Sequence, residues 1–559
     1  MAGIVLVFRQ HPELAIFLTL ALGFLIGRFR IGSFKLGSML GTLLAGMLIG
    51  QMIITIPPVA KIIFFDLFLF ATGYKVGPQF FYGLKKDALP QIVITLVICV
   101  TCLGMALLAS KILGYDVGTA AGMLAGAFTE STVIGTAGEA IQRLDINDAE
   151  KQRLLNNIPV AYAVTYLVGT TTVVWFLSSM APKLIRVNLR EEARRMPEFS
   201  EGNRGTVAGI NSAYADWLLR AFRVTSKNWI GASVSAIEKQ DPDTRIIIER
   251  LRKNGKITDP EPGMIIQDGD IAVVAARQSV MLEKLNDIGQ EVQDRELLDF
   301  PLVTLDVMIS QKEVAGKSLR ELADLYGQGV MLKNLIRGRQ EMPFHPATII
   351  QRGDTLRIFG RDTDVERTAI QLGFKEKSNA DTDIFAVAMG IVLGGLVGIL
   401  SLKVGGVVIT LSASGGALLL GLIFGWWHSK TPAFGRIPDA ALWIFDTLGL
   451  ATFLGIVGIT AGPTFISGLK HTGVSLVFAG ALVAVLPHVF GLLAGRYLLR
   501  MNPLILLGAQ SGAGTTTIAL KALQDVSGSK IPVLGYTIPY ALGNILLTAW
   551  GPLLVSLMT

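Results

Sequence analysis

The sequence predicts a polytopic α-helical membrane protein: two inverted five-span repeats, each with a re-entrant hairpin, flanking a central soluble α+β tandem domain. Three observations predict it. Apolar residues concentrate at the two ends of the chain, a seven-identity motif recurs between those ends, and the polar middle carries a duplication of its own.

Of 559 residues, 51% are hydrophobic and 17% charged, where a soluble chain has about a quarter of its residues charged. The apolar excess lies at 1–182 and 380–559, and most Lys, Arg, Asp and Glu fall between. The chain therefore divides into a membrane half (1–182), a soluble segment with a first subdomain (183–292), a second subdomain (293–379) and a second membrane half (380–559). The net charge of +7 fits positive-inside loops and a basic cytoplasmic domain. Nucleic-acid binding needs a basic patch with aromatic platforms, and none is visible. Cys99 and Cys102 form a C-x-x-C in an apolar stretch without a second pair, so they read as packing residues. No metal and no cofactor is expected. The apolar run at 14–26 leads to Gly27-Arg28 without a small-residue cleavage site, so no cleavable signal is expected.

A crossing helix needs roughly 20 apolar residues. Spans are expected near 12–27, 37–55, 62–82, 90–112 and 156–180, then 383–402, 408–427, 440–463, 472–496 and 533–557. Two further segments, 118–137 and 503–519, are too short and too rich in Gly, Thr and Ser for a crossing. Arg28, Arg30, Lys35, Lys85, Lys86, Lys183 and Arg186 mark one side as cytoplasmic, as do Lys430, Arg436, Arg496 and Arg500. That assignment closes only if 118–137 and 503–519 enter and leave on one side, as re-entrant hairpins. Both termini then lie in the periplasm and the soluble domain in the cytoplasm. The loop 139–155 falls outside although it carries Arg143, Lys151 and Arg153, whose charge Glu139, Asp145, Asp148 and Glu150 offset.

The repeat is legible in Gly73-x-x-x-Gly77-Pro78-x-Phe80-x-x-Gly83-Leu84-Lys85 against Gly458-x-x-x-Gly462-Pro463-x-Phe465-x-x-Gly468-Leu469-Lys470. Gly41, Gly46 and Gly50 match Gly416, Gly421 and Gly425 in spacing, and Gly126-Ala127 is matched to Gly508-Ala509. Five crossings per copy invert the second copy. Inverted repeats mark alternating-access transporters, whose solute binds near the midplane at broken helices.

In the middle, Ile265-Ile266-Gln267-Asp268-Gly269-Asp270 and Ile349-Ile350-Gln351-Arg352-Gly353-Asp354 each precede a strand-like run. Strands at 245–251 and 329–336 and helices near 278–289 and 362–373 complete two α+β units of about 80 residues. Asp270 and Asp354 read as turn residues.

These Q-x-G-D turns resemble the C-terminal (TrkA-C or RCK-C) subdomain of potassium-conductance regulators. The full order of membrane half, paired subdomains and membrane half resembles the aspartate:alanine exchanger family, over nearly the whole chain. That resemblance implies exchange of L-aspartate for L-alanine in a bacterial inner membrane, or export of dicarboxylates of the succinate type. It also implies a homodimer and leaves room for a regulatory small ligand on the soluble subdomains.

Lys75 is the first candidate for contact with an anionic solute, because a cation in a span needs a partner. Its match in the second copy is Thr460, so the shared fold does not require the charge; a lysine reaching the interface is the alternative. The hairpins supply Thr129, Glu130, Ser131 and Thr132, and Gln510, Ser511, Gly512, Gly514, Thr515 and Thr516. Hydroxyls and bare amides at a half-helix N-terminus suit a carboxylate. Ser and Thr bonded back to helical carbonyls are the bland alternative. Glu130 is a candidate for coupling protons or sodium, as is Asp446, and Asp66 for pairing with Lys75. Gly77, Pro78, Gly462 and Pro463 are expected as hinges. Tyr162 is matched to Tyr540 in the last span of each half, and Asn544 reads as glue between helices. The run 508–515 mimics a phosphate loop but lacks its lysine. A potassium channel would show T-V-G-Y-G, whereas Thr72-Gly73-Tyr74-Lys75 puts a cation in the filter. No nucleophile–base pair suggests an enzyme.

Overall fold

A computed structural model describes the chain except for residues 1, 32–33, 84–87, 197–216, 241–245, 278–279, 282–287, 339, 376–380, 405–406, 411 and 432–433. Lys85, Lys86, Arg245 and most of the helix expected near 278–289 lie outside the described residues. The chain forms two compact units: Met1–Glu192 with Gly338–Gln340 and Ser378–Thr559, and Ala193–Arg337 with Glu341–Lys377.

The first unit is helical. Its N-terminal segment holds α1 (Ala2–Gln10), α2 (Pro12–Ile26), α3 (Ser38–Gly50), α4 (Pro58–Gly83), α5 (Leu89–Leu113), α6 (Val117–Ala127), α7 (Thr132–Gln142) and α8 (Asp148–Trp175). Its C-terminal segment holds α9 (Ile384–Ile399), α10 (Ser412–Lys430), α11 (Asp439–Leu493), α12 (Pro503–Ala513), α13 (Thr517–Ser527) and α14 (Pro532–Met558). Among the described residues five stretches suffice by length and composition to cross a membrane: Leu89–Leu113, Asp148–Leu184, Asp439–Ser467, Gly473–Leu498 and Pro532–Met558. The spans expected at 12–27, 37–55 and 383–402 are helices of 15, 13 and 16 residues, below the roughly 20 of a full crossing. Their ends explain this. α2 and α9 each give way to a short antiparallel strand pair, Arg30–Ile31 with Phe34–Lys35 and Ser401–Val404 with Val407–Thr410. α3 stops before Ile53, which takes a positive φ of 55°.

A loop was expected between 463 and 472, but helix continues through it in α11. The stretch after Pro463 holds only isolated glycines, Gly468, Gly473 and Gly480, and no further proline until Pro487, too little to break a helix.

Glycine rows show why the two segments interlock. A Cβ on Gly46 or Gly50 of α3 would overlap the carbonyls of Gly455 and Ile459 on α11. A Cβ on Gly421 or Gly425 of α10 would overlap those of Phe70 and Tyr74 on α4. α3 thus rests its backbone on α11 and α10 on α4, the close approach that small residues permit in membranes. Gly73, Gly77, Gly458 and Gly462 complete the same contacts from the opposite side. Pro78 and Pro463 sit inside unbroken helices.

The second unit holds two five-stranded sheets. The first comprises β1 (Trp217–Val224), β2 (Ile246–Lys253), β3 (Lys256–Thr258), β4 (Ile271–Arg277) and β5 (Gly289–Glu291), in the order β3-β2-β4-β1-β5. The second comprises β6 (Leu302–Ile309), β7 (Val330–Arg337), β8 (Gln340–Met342), β9 (Thr355–Arg361) and β10 (Gly373–Lys375), in the order β8-β7-β9-β6-β10. The two sheets therefore share one topology. Gly269 and Gly353 take φ of 82° and 83°, which only glycine adopts readily. Asp270 and Asp354 each close their turn, accepting the amides of Gln267 (2.9 Å) and Gln351 (2.8 Å). Helix Asp362–Leu372 follows β9. The sheets meet through Ile247, Ala275 and Met331, with Leu219 and Phe359 at the edge.

Candidate functional site

The site is built on two interrupted helices. α6 starts on Asp116, whose carboxylate accepts the amide of Thr119 (2.9 Å), and α12 starts on Asn502, which accepts that of Leu504 (2.9 Å). Small residues press both helices onto a long neighbour. A Cβ on Gly126 would overlap the Tyr162 carbonyl on α8, and one on Gly512 the Tyr536 carbonyl on α14. Gly169 and Gly543 answer from α8 and α14 against Ala127 and Ala513. These contacts correct two matches made from sequence. Gly126-Ala127 corresponds to Gly512-Ala513, one turn after Gly508-Ala509, and Tyr162 corresponds to Tyr536 rather than Tyr540. Gly-Ala occurs twice in α12, so the dipeptide alone could not choose the register.

α6 and α12 end in the same way. The amide of Thr129 bonds Gly126 O (3.1 Å) and that of Glu130 bonds Ala125 O (2.8 Å). The amide of Thr515 bonds Gly512 O (2.8 Å) and that of Thr516 bonds Ser511 O (3.0 Å). Both are Schellman caps, which place one residue in the left-handed region and favour glycine there. Here that residue is threonine, with φ of 56° at Thr129 and 51° at Thr515. A β-branched residue in this region stores roughly 1–3 kcal/mol of strain. The two breaks touch: Thr129 Oγ1 lies 3.2 Å from Thr516 Oγ1, and Thr515 Oγ1 donates to Phe128 O at 2.9 Å. Thr515→Gly removes the strain and the hydroxyl, whereas Thr515→Val removes the hydroxyl alone. The glycine variant is therefore expected to unfold in detergent with about 1–2 kcal/mol more stability than the valine variant. Equal melting points would deny the strain.

Beyond the breaks the two sides differ. Glu130 is buried, and its Oε1 accepts from Thr132 Oγ1 (2.7 Å) and the Thr132 amide (3.4 Å). The N-terminus of α7 thus receives a carboxylate from its own chain, where bare amides had been expected. Thr132 also bonds Thr548 (2.7 Å), and Ser131 bonds the Tyr162 hydroxyl (2.7 Å). At α13 the N-cap is Thr516, whose side chain makes no capping bond. Ser511 instead donates to Thr516 O at 2.7 Å. Gln510 is fully buried, and apart from a loose contact with His488 neither of its amide atoms has a partner among the described residues.

Lys75 on α4 forms an ion pair with Asp446 on α11, and Thr72 Oγ1 donates to Asp446 at 3.3 Å. The expected Asp66 partnership is corrected: Asp66 accepts from Ser414 Oγ (2.6 Å), which also bonds Glu139. Nine residues along one helix put Asp66 on another face from Lys75. Tyr540 lies within electrostatic reach of both Asp446 and Glu130. Asn544 donates to Tyr540 O of its own helix at 2.7 Å, one turn back, so that bond joins no second helix. Cys99 and Cys102 are free and buried, and Trp550 donates to Cys99 O at 2.8 Å. Among the described residues no group of three His, Cys, Asp or Glu could hold a metal.

Thr548, Tyr536 and His488 were missed as site residues, and Asp446, named as a coupling candidate, was missed as the partner of Lys75. Thr548 lies one turn beyond Asn544 on the same face. Asp446 was within reach, because the offset from Gly73 to Gly458 sets it opposite Lys61 as an unmatched charge.

Comparison with known proteins bears on this geometry. The family model Asp-Al_Ex, described as a predicted permease membrane region, matches residues 15–182 and again 386–556. A Shewanella oneidensis protein named an uncharacterized transporter is 40% identical over 555 residues, 98% of each chain. One from Bradyrhizobium diazoefficiens is 39% identical over 508 residues, covering 90% of this chain and 98% of its own. One from Francisella tularensis is 33% identical over 564 residues, covering 100% of this chain and 99% of its own.

Proposed function

The chain belongs to this permease family and is a multi-pass membrane transporter, and from that premise we propose that it exchanges small carboxylate solutes by alternating access. The observation that carries the reading is the pair of capped, strained breaks that touch at Thr129–Thr516 and Thr515–Phe128, one in each family-matched segment. The crosswise glycine contacts support two inverted copies, with 118–137 and 503–519 as their re-entrant hairpins. Solute binds between the breaks, near Thr129–Thr132 and Gln510–Thr516, with Lys75 at its edge. Gly77, Pro78, Gly462 and Pro463 lie where the copies press together and serve as the hinge points.

Glu130 favours amino acids over plain dicarboxylates. A buried carboxylate repels a second one and attracts an ammonium. L-aspartate and L-alanine are therefore the preferred pair, and a succinate-type dicarboxylate is the competing substrate. The protein sits in a bacterial inner membrane as a homodimer, with the soluble unit in the cytoplasm and both termini outside. The two sheets of that unit resemble paired TrkA-C subdomains and offer a place for a regulatory ligand.

Reconstituted into liposomes loaded with unlabelled aspartate, the protein is expected to take up labelled aspartate, and to do so equally from alanine-loaded vesicles. Uptake of succinate in place of both would overturn the substrate pair. No counterflow with any of the three would overturn exchange. Cysteine labelling at both termini tests the orientation.

A further inference from the structure

His488, on α11, sits against both breaks. Its ring stacks on Phe128 of the first break, with centroids 5.6 Å apart and planes 10° from parallel. Its other edge faces the second break, where a Cβ on Gly514 would meet Nε2 at 3.0 Å. Phe128 and Gly514 are corresponding residues, each following the last residue of its helix. The ring therefore fills the space that glycine leaves open. His488 is 1% exposed and Gln510, beside it, is 0% exposed. The imidazole and the Gln510 amide stand within hydrogen-bonding reach of each other, and apart from that loose contact neither His488 Nδ1 nor either amide atom has a partner among the described residues. Buried polar atoms nearly always have well-formed partners, so a histidine and an amide with no group but each other, set against a helix break, point to an absent ligand.

We propose that His488, together with Gln510, reads the polar headgroup of the transported solute; this rests on the exchange reading above. The primary amide presents two N–H donors and a carbonyl acceptor, and the imidazole one of each. A ligand that satisfies them must both accept and donate. The stack on Phe128 fixes the ring plane, and Gly514 leaves room for the edge to reach the ligand. His488 is thus a specificity-determining residue shared by the two breaks: a shift of either break changes what the imidazole reaches.

The test uses full-length protein in detergent with His488→Leu and Gln510→Leu, and measures the melting temperature without solute and the affinity for aspartate, alanine and succinate. Removing an orphaned polar atom relieves its desolvation, so the solute-free melting temperature is expected to hold or rise. Affinity is expected to fall about tenfold in each variant, the effect of one lost hydrogen bond to solute. The double variant should lose less than the product of the two, because both groups grip one headgroup. His488→Asn, which restores a donor and an acceptor, should recover part of the loss. Wild-type affinities in both leucine variants would overturn the proposal, as would a large fall in melting temperature with affinity intact. If the wild type binds none of the three solutes, the exchange reading itself falls, which separates the two failures.

Discussion

Lys75→Ala is expected to lower the stability of the helical unit in detergent by roughly 3 kcal/mol and to abolish exchange. Lys75 and Asp446 are only about a quarter exposed at the side chain, between an exposed pair, worth under about 1 kcal/mol, and a buried pair broken on one side, which costs about 3–5. Truncating the lysine leaves Asp446 with its charge uncompensated in an apolar bundle, where among the described residues the Thr72 hydroxyl is its side-chain hydrogen-bond donor. Asp446→Ala strands the lysine and should cost as much. The double variant removes both charges and should cost no more than either single change, about 3 kcal/mol, which is a coupling of about 3 kcal/mol in the cycle. The same variant separates fold from function. If Lys75 attracts the solute carboxylate when its partner lets go, a stable double variant is still dead for transport. Wild-type exchange by that variant would leave Lys75 as a strut between α4 and α11 and remove it from the site.

The membrane halves, the polar middle and the position of both breaks were legible because each rests on a local signal: apolar length, charge density, or Gly and Thr where a helix should run. The duplication was legible at Gly73–Lys85 because close backbone contact leaves a row of glycines no other residue can replace. What was not legible depends on register. One turn separates Gly508 from Gly512 and Tyr540 from Tyr536, and hydropathy does not distinguish them; only the carbonyl beneath each glycine does. The partner of Lys75 lies on another helix, 371 positions away by number, and was sought too near. Glu130 was read as a residue beside an open helix end, when its own carboxylate occupies that end. Side-chain return to the backbone competes with ligand binding wherever an acid directly precedes a helix N-terminus.

Raising the pH from 5 to 8 is expected to weaken the soluble unit by roughly 2–3 kcal/mol through one side chain. Glu249 sits at the irregularity in β2 between Ile248 and Arg250, where the register with β4 shifts. It is fully buried, and neither carboxylate oxygen has a hydrogen-bond donor among the described residues. The corresponding residue in β7, Lys333, is exposed, so the repeated fold does not demand the burial. Burial raises the Glu249 carboxyl most. Arg361, with Nε 3.5 Å away, pulls it back, and Asp364, Glu238 and Asp259 push it up again, leaving it at about 7 against an ordinary 4.5. Arg361 cannot do more because it also serves Asp259 (2.9 Å) and Asp364 (2.7 Å). Between pH 4.5 and 7 the folded unit binds the proton and the unfolded chain has released it, so stability falls as pH rises. The full loss is reached above 7, at 1.36 kcal/mol for each unit of difference. Glu249→Gln keeps the shape and discards the charge. It should flatten the slope and exceed the wild type in stability at pH 8, while matching it near pH 5. Fluorescence of Trp229, buried in the core of the first sheet, follows the unfolding of full-length protein. Parallel curves for wild type and variant across this range would mean that Glu249 ionises without cost, by drawing Arg361 away from its two aspartates.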